Sequence, residues 1–512
     1  MRDFCLCAGS RNSPLIAVAS AASGLTNFSF PDERAAAFFA LGRSKATGRP
    51  AAVITTSGTA VAELLPAVIE AWYSGTPLVL ITADRPRRFR GTGAPQAIEQ
   101  RGIFGPYCEI SIDIEAGESF DLAGWSRRFP LHINVAFDEP LLEGEIPRLT
   151  LDSSSPSAAG RSNAPSSAEL QIVSDFLRRH RQPLVILGGL DPQDRDAVKQ
   201  FLETLGAPVY AEALSGLRTA KELRHLTIAS GERILSRAGF DSVLRIGGIP
   251  TLRFWRDLED AQSGLPVLNI TSLPFPGLSR GEIVISPPGD ILNAVDPPRR
   301  SMGGFHDQDR AMSESIESLF LDEPRAELSM IHHLSKLPGD GSSVFLGNSL
   351  PIREWDLAAV RDERAITFRA NRGANGIDGA ISTFLGAARE KDNWAILGDL
   401  TVLYDLSAPW ILPQLNPGLE LRLVVINNGG GRIFGRVKSL ERVDADRREK
   451  FFENGHNISF EDWARMWKLA YERWVEIPAD APSPQHCVVE VTPDPRASAR
   501  LWERFDSLWR DA

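Results

Sequence analysis

The chain has 512 residues, 43% hydrophobic and 24% charged, the proportions of ordinary globular protein and, at about 150 residues per domain, the length of roughly three domains. Lys and Arg total 56 against 66 for Asp and Glu, a formal charge of −10, so no basic excess is available to attract a nucleic-acid backbone. Apolar runs such as Thr76–Thr82 fall far short of the ~20 residues that span a bilayer, and the early Gly9-Ser10-Arg11 turn leaves no room for a signal peptide; a cytoplasmic protein with no membrane span is expected.

In chain order, Phe4-Cys5-Leu6-Cys7 reads as a buried strand. The four cysteines, at 5, 7, 108 and 487, are too scattered for a disulfide framework or a thiolate zinc site. Apolar strands follow at Ala51–Thr55, Leu78–Thr82 and Pro130–Val135, the last holding His132 as a structural residue. The Ser/Pro/Ala-rich stretch 151–168 reads as a linker. Strands return at Pro183–Leu187 and Ser242–Ile246. A softer break, rich in Pro, Gly and charge, runs from Asp296 to about Arg325. Beyond it His332-His333 sit on a helical pattern, expected to be exposed, and strands lie at Trp394–Leu397 and Leu423–Asn427. Short β-branched strands separated by helices predict an α/β fold with parallel sheets flanked by helices, in three domains near 1–150, 169–295 and 326–512.

The most informative pattern is Gly398-Asp399-Leu400 at a strand end, then residues 401–426, then Asn427-Asn428-Gly429-Gly430 at the next. Ligands of doubly wound sheets collect at the carboxyl ends of strands. Asp399 offers a carboxylate and Asn428 an amide oxygen to a hard octahedral ion, while the glycines allow close backbone approach, which suits a magnesium-bound diphosphate.

This spacing resembles the signature of the thiamine diphosphate enzymes. The resemblance implies thiamine diphosphate with Mg2+ or Mn2+ as cofactors, held by Asp399, Asn428 and the carbonyl of Gly430, with Leu400 beside them, Ile377 as the apolar wedge that bends the cofactor, and Ile433, Phe434 and Val437 around the thiazolium. It assigns Glu33, in Asp32-Glu33-Arg34, to the aminopyrimidine, where a carboxylate favours the imino tautomer that takes the proton from the thiazolium carbon.

Leu400 in the third motif position, Tyr404-Asp405-Leu406, Gly9–Leu15, Thr56–Ala62, Thr82–Pro86, Gly93–Ile98, Gly347–Arg353 and Asn371–Gly379 are similar to one branch, the 2-succinyl-5-enolpyruvyl-6-hydroxy-3-cyclohexene-1-carboxylate (SEPHCHC) synthases of menaquinone biosynthesis. The branch acts on 2-oxoglutarate and isochorismate. Such dicarboxylates require several fixed, bidentate cations, and arginines stand at turn-like positions in the motifs. The resemblance assigns substrate contacts to Ser10, Arg11, Arg85, Gln96, Arg253, Ser349, Arg353 and Arg372, and implies a homodimer or homotetramer. Two departures stand out. Leu252 occupies the place of a basic residue before Arg253, and the helix that usually precedes the first strand is missing. Two readings follow: the chain begins at the wrong methionine, or the shortening is real and an apolar face of the first domain is left bare. Two alternatives remain open: another thiamine diphosphate-dependent 2-oxo acid decarboxylase or acetolactate-type synthase, and a non-catalytic protein that retains the fold and binds nucleotide or another subunit through the middle domain, where Gly247-Gly248 lack the full glycine fingerprint.

Overall fold

The computed structural model describes residues 1–149, 164–301, 304–482 and 486–511. Most of the expected linker, residues 151–163, lies outside them. Its last residues, from 164, lead into the helix Ser167–Arg179, which starts within the expected linker because Ser166 and Glu169 form a reciprocal cap, each side chain bonding the other residue's backbone N–H.

The first sheet holds β1 (Asp3–Cys7), β2 (Thr26–Phe30), β3 (Ala51–Thr55), β4 (Leu78–Asp84), β5 (Ile110–Glu115) and β6 (Leu131–Ala136), in the order β2-β1-β3-β4-β6-β5. The second holds β7 (Pro183–Leu187), β8 (Val209–Ala211), β9 (Ser242–Ile246), β10 (Val267–Thr271) and β11 (Glu282–Ile285), in the order β11-β10-β9-β7-β8. The third holds β12 (Ser343–Leu346), β13 (Thr367–Arg369), β14 (Asp392–Gly398), β15 (Glu420–Ile426), β16 (Ala470–Trp474) and β17 (His486–Val491), in the order β13-β12-β14-β15-β17-β16. All pairings are parallel. Central strands such as β3, β7 and β9 are buried along their whole length, which is why they read as continuous apolar runs instead of alternating ones.

The first and third sheets share one strand order. Each reverses direction after its first strand, between β1 and β3 and between β12 and β14, and a crevice opens at such a switch point.

The sheets do not stand apart. One core joins Phe38, Phe39 and Leu41 to Ile381, Phe384 and Leu385, and another joins Trp255 and Leu258 to Trp355 and Trp394. The expected break at 296–325 contains an 18-residue helix, Phe305–Asp322, whose Ile316, Leu319 and Phe320 enter the second core. Their helical spacing is masked by the acidic residues of its outer face. His332 also departs from expectation. It is half-buried, its Nδ1 lies 2.8 Å from the Ala358 carbonyl, and its ring sits 4.9 Å from that of Phe320.

Helix Glu33–Thr47 crosses helix Ala380–Ala387 at backbone contact. A Cβ on Gly42 would lie 2.1 Å from the Thr383 carbonyl oxygen, and one on Gly386 would lie 2.1 Å from that of Phe39. Backbone atoms cannot yield as a flexible side chain would, so Gly386→Ala should force the helices apart at a cost of about 1–3 kcal/mol. A thermal midpoint equal to that of the parent would refute the close approach.

Candidate functional site

The switch point of the third sheet lies between the turn Gly347-Asn348-Ser349 after β12 and Asp399 after β14. Asp399 is 2% exposed and opens the helix Asp399–Leu403. Its Oδ1 accepts the Leu400 N–H (2.6 Å), and its Oδ2 accepts those of Gly429 (2.9 Å) and Gly430 (2.8 Å). Burial raises its pKa, and these donors and His456 oppose the rise. The loop after β15 needs glycine: Gly429 and Gly430 have φ of 78° and 131°, and a Cβ on Gly430 would meet the Glu453 carbonyl oxygen at 2.5 Å.

A cleft of about 160 Å3 gathers Ser349, Ile377, Asp399, Leu400, Asn428, Gly430, Ile433 and Phe434, most of the cofactor residues expected from sequence. The donor set suits a hard divalent ion. Asn428 Nδ2 donates to Glu327 Oε1 and Oε2 (2.8 and 3.1 Å), whereas its Oδ1 is buried without a partner among the described residues. The Gly430 carbonyl accepts the Arg432 N–H and retains a second lone pair.

Leu350 and Ile433 also line an adjoining cleft of about 570 Å3, walled by Arg253, Arg353, Val437, Arg436 and Arg233. Arg253 is paired with Asp257 at 2.7 Å. Leu252 belongs to the apolar core beneath it, so its replacement of a basic residue leaves Arg253 as the cation of that wall nearest in sequence. Arg353 donates to the Ser349 carbonyl (2.6 Å), and Arg372 donates to Asn348 Oδ1 (2.8 Å) while its Nε is buried without a described partner. Ser349 has φ 73° and ψ −126°, a conformation that an L side chain adopts under strain.

The remaining expected residues lie in the first segment. Glu33 lines a cavity of about 650 Å3 with Gly9, Thr56, Ser57 and Gln96, and burial raises its pKa. Ser10 is exposed. Arg11 donates to the Phe137 carbonyl (3.1 Å), and Arg85 donates to that of Pro95 (2.7 Å), tying down the loop that carries Gln96. The Glu33 cavity and the Asp399 cleft share no lining residue within one chain.

Sequence reasoning missed three residues. His456 Nε2 lies 3.2 Å from Asp399 Oδ2; the loop that brings it there is anchored by long-range backbone bonds with no local signature. Glu327 and Glu354 are buried, and burial raises the pKa of each. Glu354 sits among Arg353, Trp355 and Asp356 in the helix Leu350–Ala358, where a charged residue reads as surface, so nothing local marks it as buried.

The middle sheet's switch point is sealed. Gly248 N donates to the Gly189 carbonyl (2.9 Å), and a Cβ on Gly188 would lie 2.1 Å from the Gly248 carbonyl oxygen. The two loops fill the place where a nucleotide would enter. Among the described residues no helix is long and apolar enough to cross a membrane.

Residues 1–103 match the family model described as thiamine pyrophosphate enzyme, N-terminal TPP binding domain. The chain is 44% identical over 527 residues to the 2-succinyl-5-enolpyruvyl-6-hydroxy-3-cyclohexene-1-carboxylate synthase of Bdellovibrio bacteriovorus, covering 100% of this chain and 97% of that protein. It is 40% identical to the synthase of the same name from Akkermansia muciniphila, covering 92% and 88%. An X-ray structure from Mycobacterium smegmatis, described as that of a thiamin diphosphate-dependent enzyme, matches with a TM-score of 0.67 at 17% identity and 96% coverage of both chains, a likeness of fold. Identity at this level along the whole chain, together with the motif at the third switch point, makes the chain a member of the SEPHCHC synthase family of thiamine diphosphate-dependent enzymes.

Proposed function

We propose that the chain catalyses, in the cytoplasm, the reaction for which its relatives are named. 2-Oxoglutarate loses carbon dioxide and its succinic semialdehyde unit is added to isochorismate, a step of menaquinone synthesis. The observation that carries this reading is the continuity of the two clefts: an oxygen-donor cluster at Asp399 and Asn428 opens past Ile433 onto a wall of arginines. A simple monocarboxylate substrate would need fewer cations.

Thiamine diphosphate, when bound, supplies a nucleophilic carbon and an electron sink for decarboxylation. Asp399, the unpaired Oδ1 of Asn428 and the Gly430 carbonyl would hold Mg2+ or Mn2+, and Ile377, Leu400, Ile433 and Phe434 provide apolar walls. Glu33, half-buried at the start of its helix and raised in pKa by that burial, is suited to hydrogen-bond a ring nitrogen of the aminopyrimidine. Arg353, Arg372 and Arg253 bind carboxylates, with Ser349 and Val437 shaping the cleft, and Ser10, Arg11, Arg85 and Gln96 supply further contacts from the Glu33 side. Arginine stays protonated at neutral pH, so these residues orient the reactants and stabilise charge without donating protons.

Glu33 and Asp399 line separate cavities of one chain, which supports a homodimer in which each site draws on both subunits; a tetramer would pair two such dimers. Exposed Tyr404, Leu406, Trp410, Phe434 and Phe451 on the third segment are the apolar surface such a contact would cover.

Glu33→Gln and Asp399→Asn should each abolish turnover. Co-expressed, they should regain a fraction of it, because a twofold heterodimer contains one site with both native residues; absence of recovery in verified heterodimers would place both residues in a site within one chain. Carbon dioxide release from 2-oxoglutarate should rise on adding isochorismate, and release indifferent to it would favour a simple decarboxylase. Ser349→Gly should relieve backbone strain of order 1 kcal/mol, raising the thermal midpoint while weakening substrate affinity; an unchanged KM would remove Ser349 from the substrate contacts.

A further inference from the structure

The buried carboxylate of Glu327 has no place in the scheme above. It stands at the start of helix Glu327–Leu334, is 7% exposed, and accepts both short bonds from Asn428 Nδ2, at 2.8 and 3.1 Å. Its backbone N–H is itself fixed, donating to Ser498 Oγ at 3.0 Å. A carboxylate can only accept a hydrogen bond from an amide, so it selects the NH2 end of Asn428 and turns the amide oxygen the other way. That oxygen is the one buried without a described partner, on the side of Asp399. The reverse orientation would set oxygen against oxygen at Glu327 and present N–H groups, which cannot ligate a cation, to the cleft.

We propose that Glu327 is a positioning residue for the divalent ion: it locks the Asn428 amide so that Oδ1, and not Nδ2, is presented as a metal ligand. The inference rests on the metal site proposed above. Groups that orient a metal's ligands typically change its affinity 10–100-fold when removed.

The test uses an aspartate at position 428, whose two oxygens are equivalent and need no orienting. Mn2+ is titrated into the full chain at saturating thiamine diphosphate, with the free ion followed by its electron paramagnetic resonance. In the native Asn428 background, Glu327→Leu should weaken Mn2+ by about 10-fold or more. In the Asn428→Asp background the same change should cost nothing, or improve binding, because it removes a like charge. An equal loss in both backgrounds would assign Glu327 a general structural role and overturn the inference, as would no loss in the native background. Should Glu327→Leu fail to fold, Glu327→Gln, which keeps the shape and one acceptor, should show a smaller loss with the same dependence on background. Failure of the wild-type chain to take up Mn2+ with the cofactor would instead refute the metal site itself.

Discussion

The geometry of the functional centre depends on one buried carboxylate held by three backbone N–H groups. Asp399 receives the N–H of Leu400, beside it, and those of Gly429 and Gly430, from the loop after the neighbouring strand. These bonds join the carboxyl ends of β14 and β15, and they fix the positions of Asn428 before the glycines and of Ile433 and Phe434 after them. Leaving Asp399 buried without such donors would be costly, so the loop and the carboxylate stabilise each other. Asp405, a few residues on, behaves alike: it is fully buried and accepts both the N–H and the hydroxyl of Ser382, capping the helix Ala380–Ala387 that packs on the first segment.

The first and third segments share a strand order, with Glu33 after β2 of one, where it lines a cavity beside the crevice, and Asp399 after β14 of the other, in the crevice itself. The close glycine crossing of helices Glu33–Thr47 and Ala380–Ala387 brings the two segments of one chain together. Glu70 strengthens that junction by accepting the N–H groups of Gly373 and Ala374, in the loop that carries Arg372 and Ile377, together with Lys45 Nζ at 3.0 Å.

The features legible in the sequence were those encoded locally. The buried strands at 51–55, 183–187 and 242–246 matched residue for residue because central parallel strands carry uninterrupted apolar runs. The Asp399 and Asn428 motif was visible because both members follow strands directly. The helix at 305–322 was hidden by flanking proline, glycine and charge, and His456 and Glu327 were hidden because each reaches the site from a distant part of the chain. Arg85 likewise donates to a backbone carbonyl, and Arg11 to another and to Glu139, 128 residues away, partners to which local side-chain patterns give no guide.

The interlocked glycines of the middle sheet bear on the cleft beside them. Four residues beyond Gly248 the chain reaches Leu252, Arg253 and Phe254, which form one bank of the arginine cleft. With Gly189 and Gly248 bonded directly to each other, that bank is braced against a rigid abutment. The backbone at the root of that bank is thus fixed, and the give of the cleft lies in its long side chains, the largely exposed Arg253 among them.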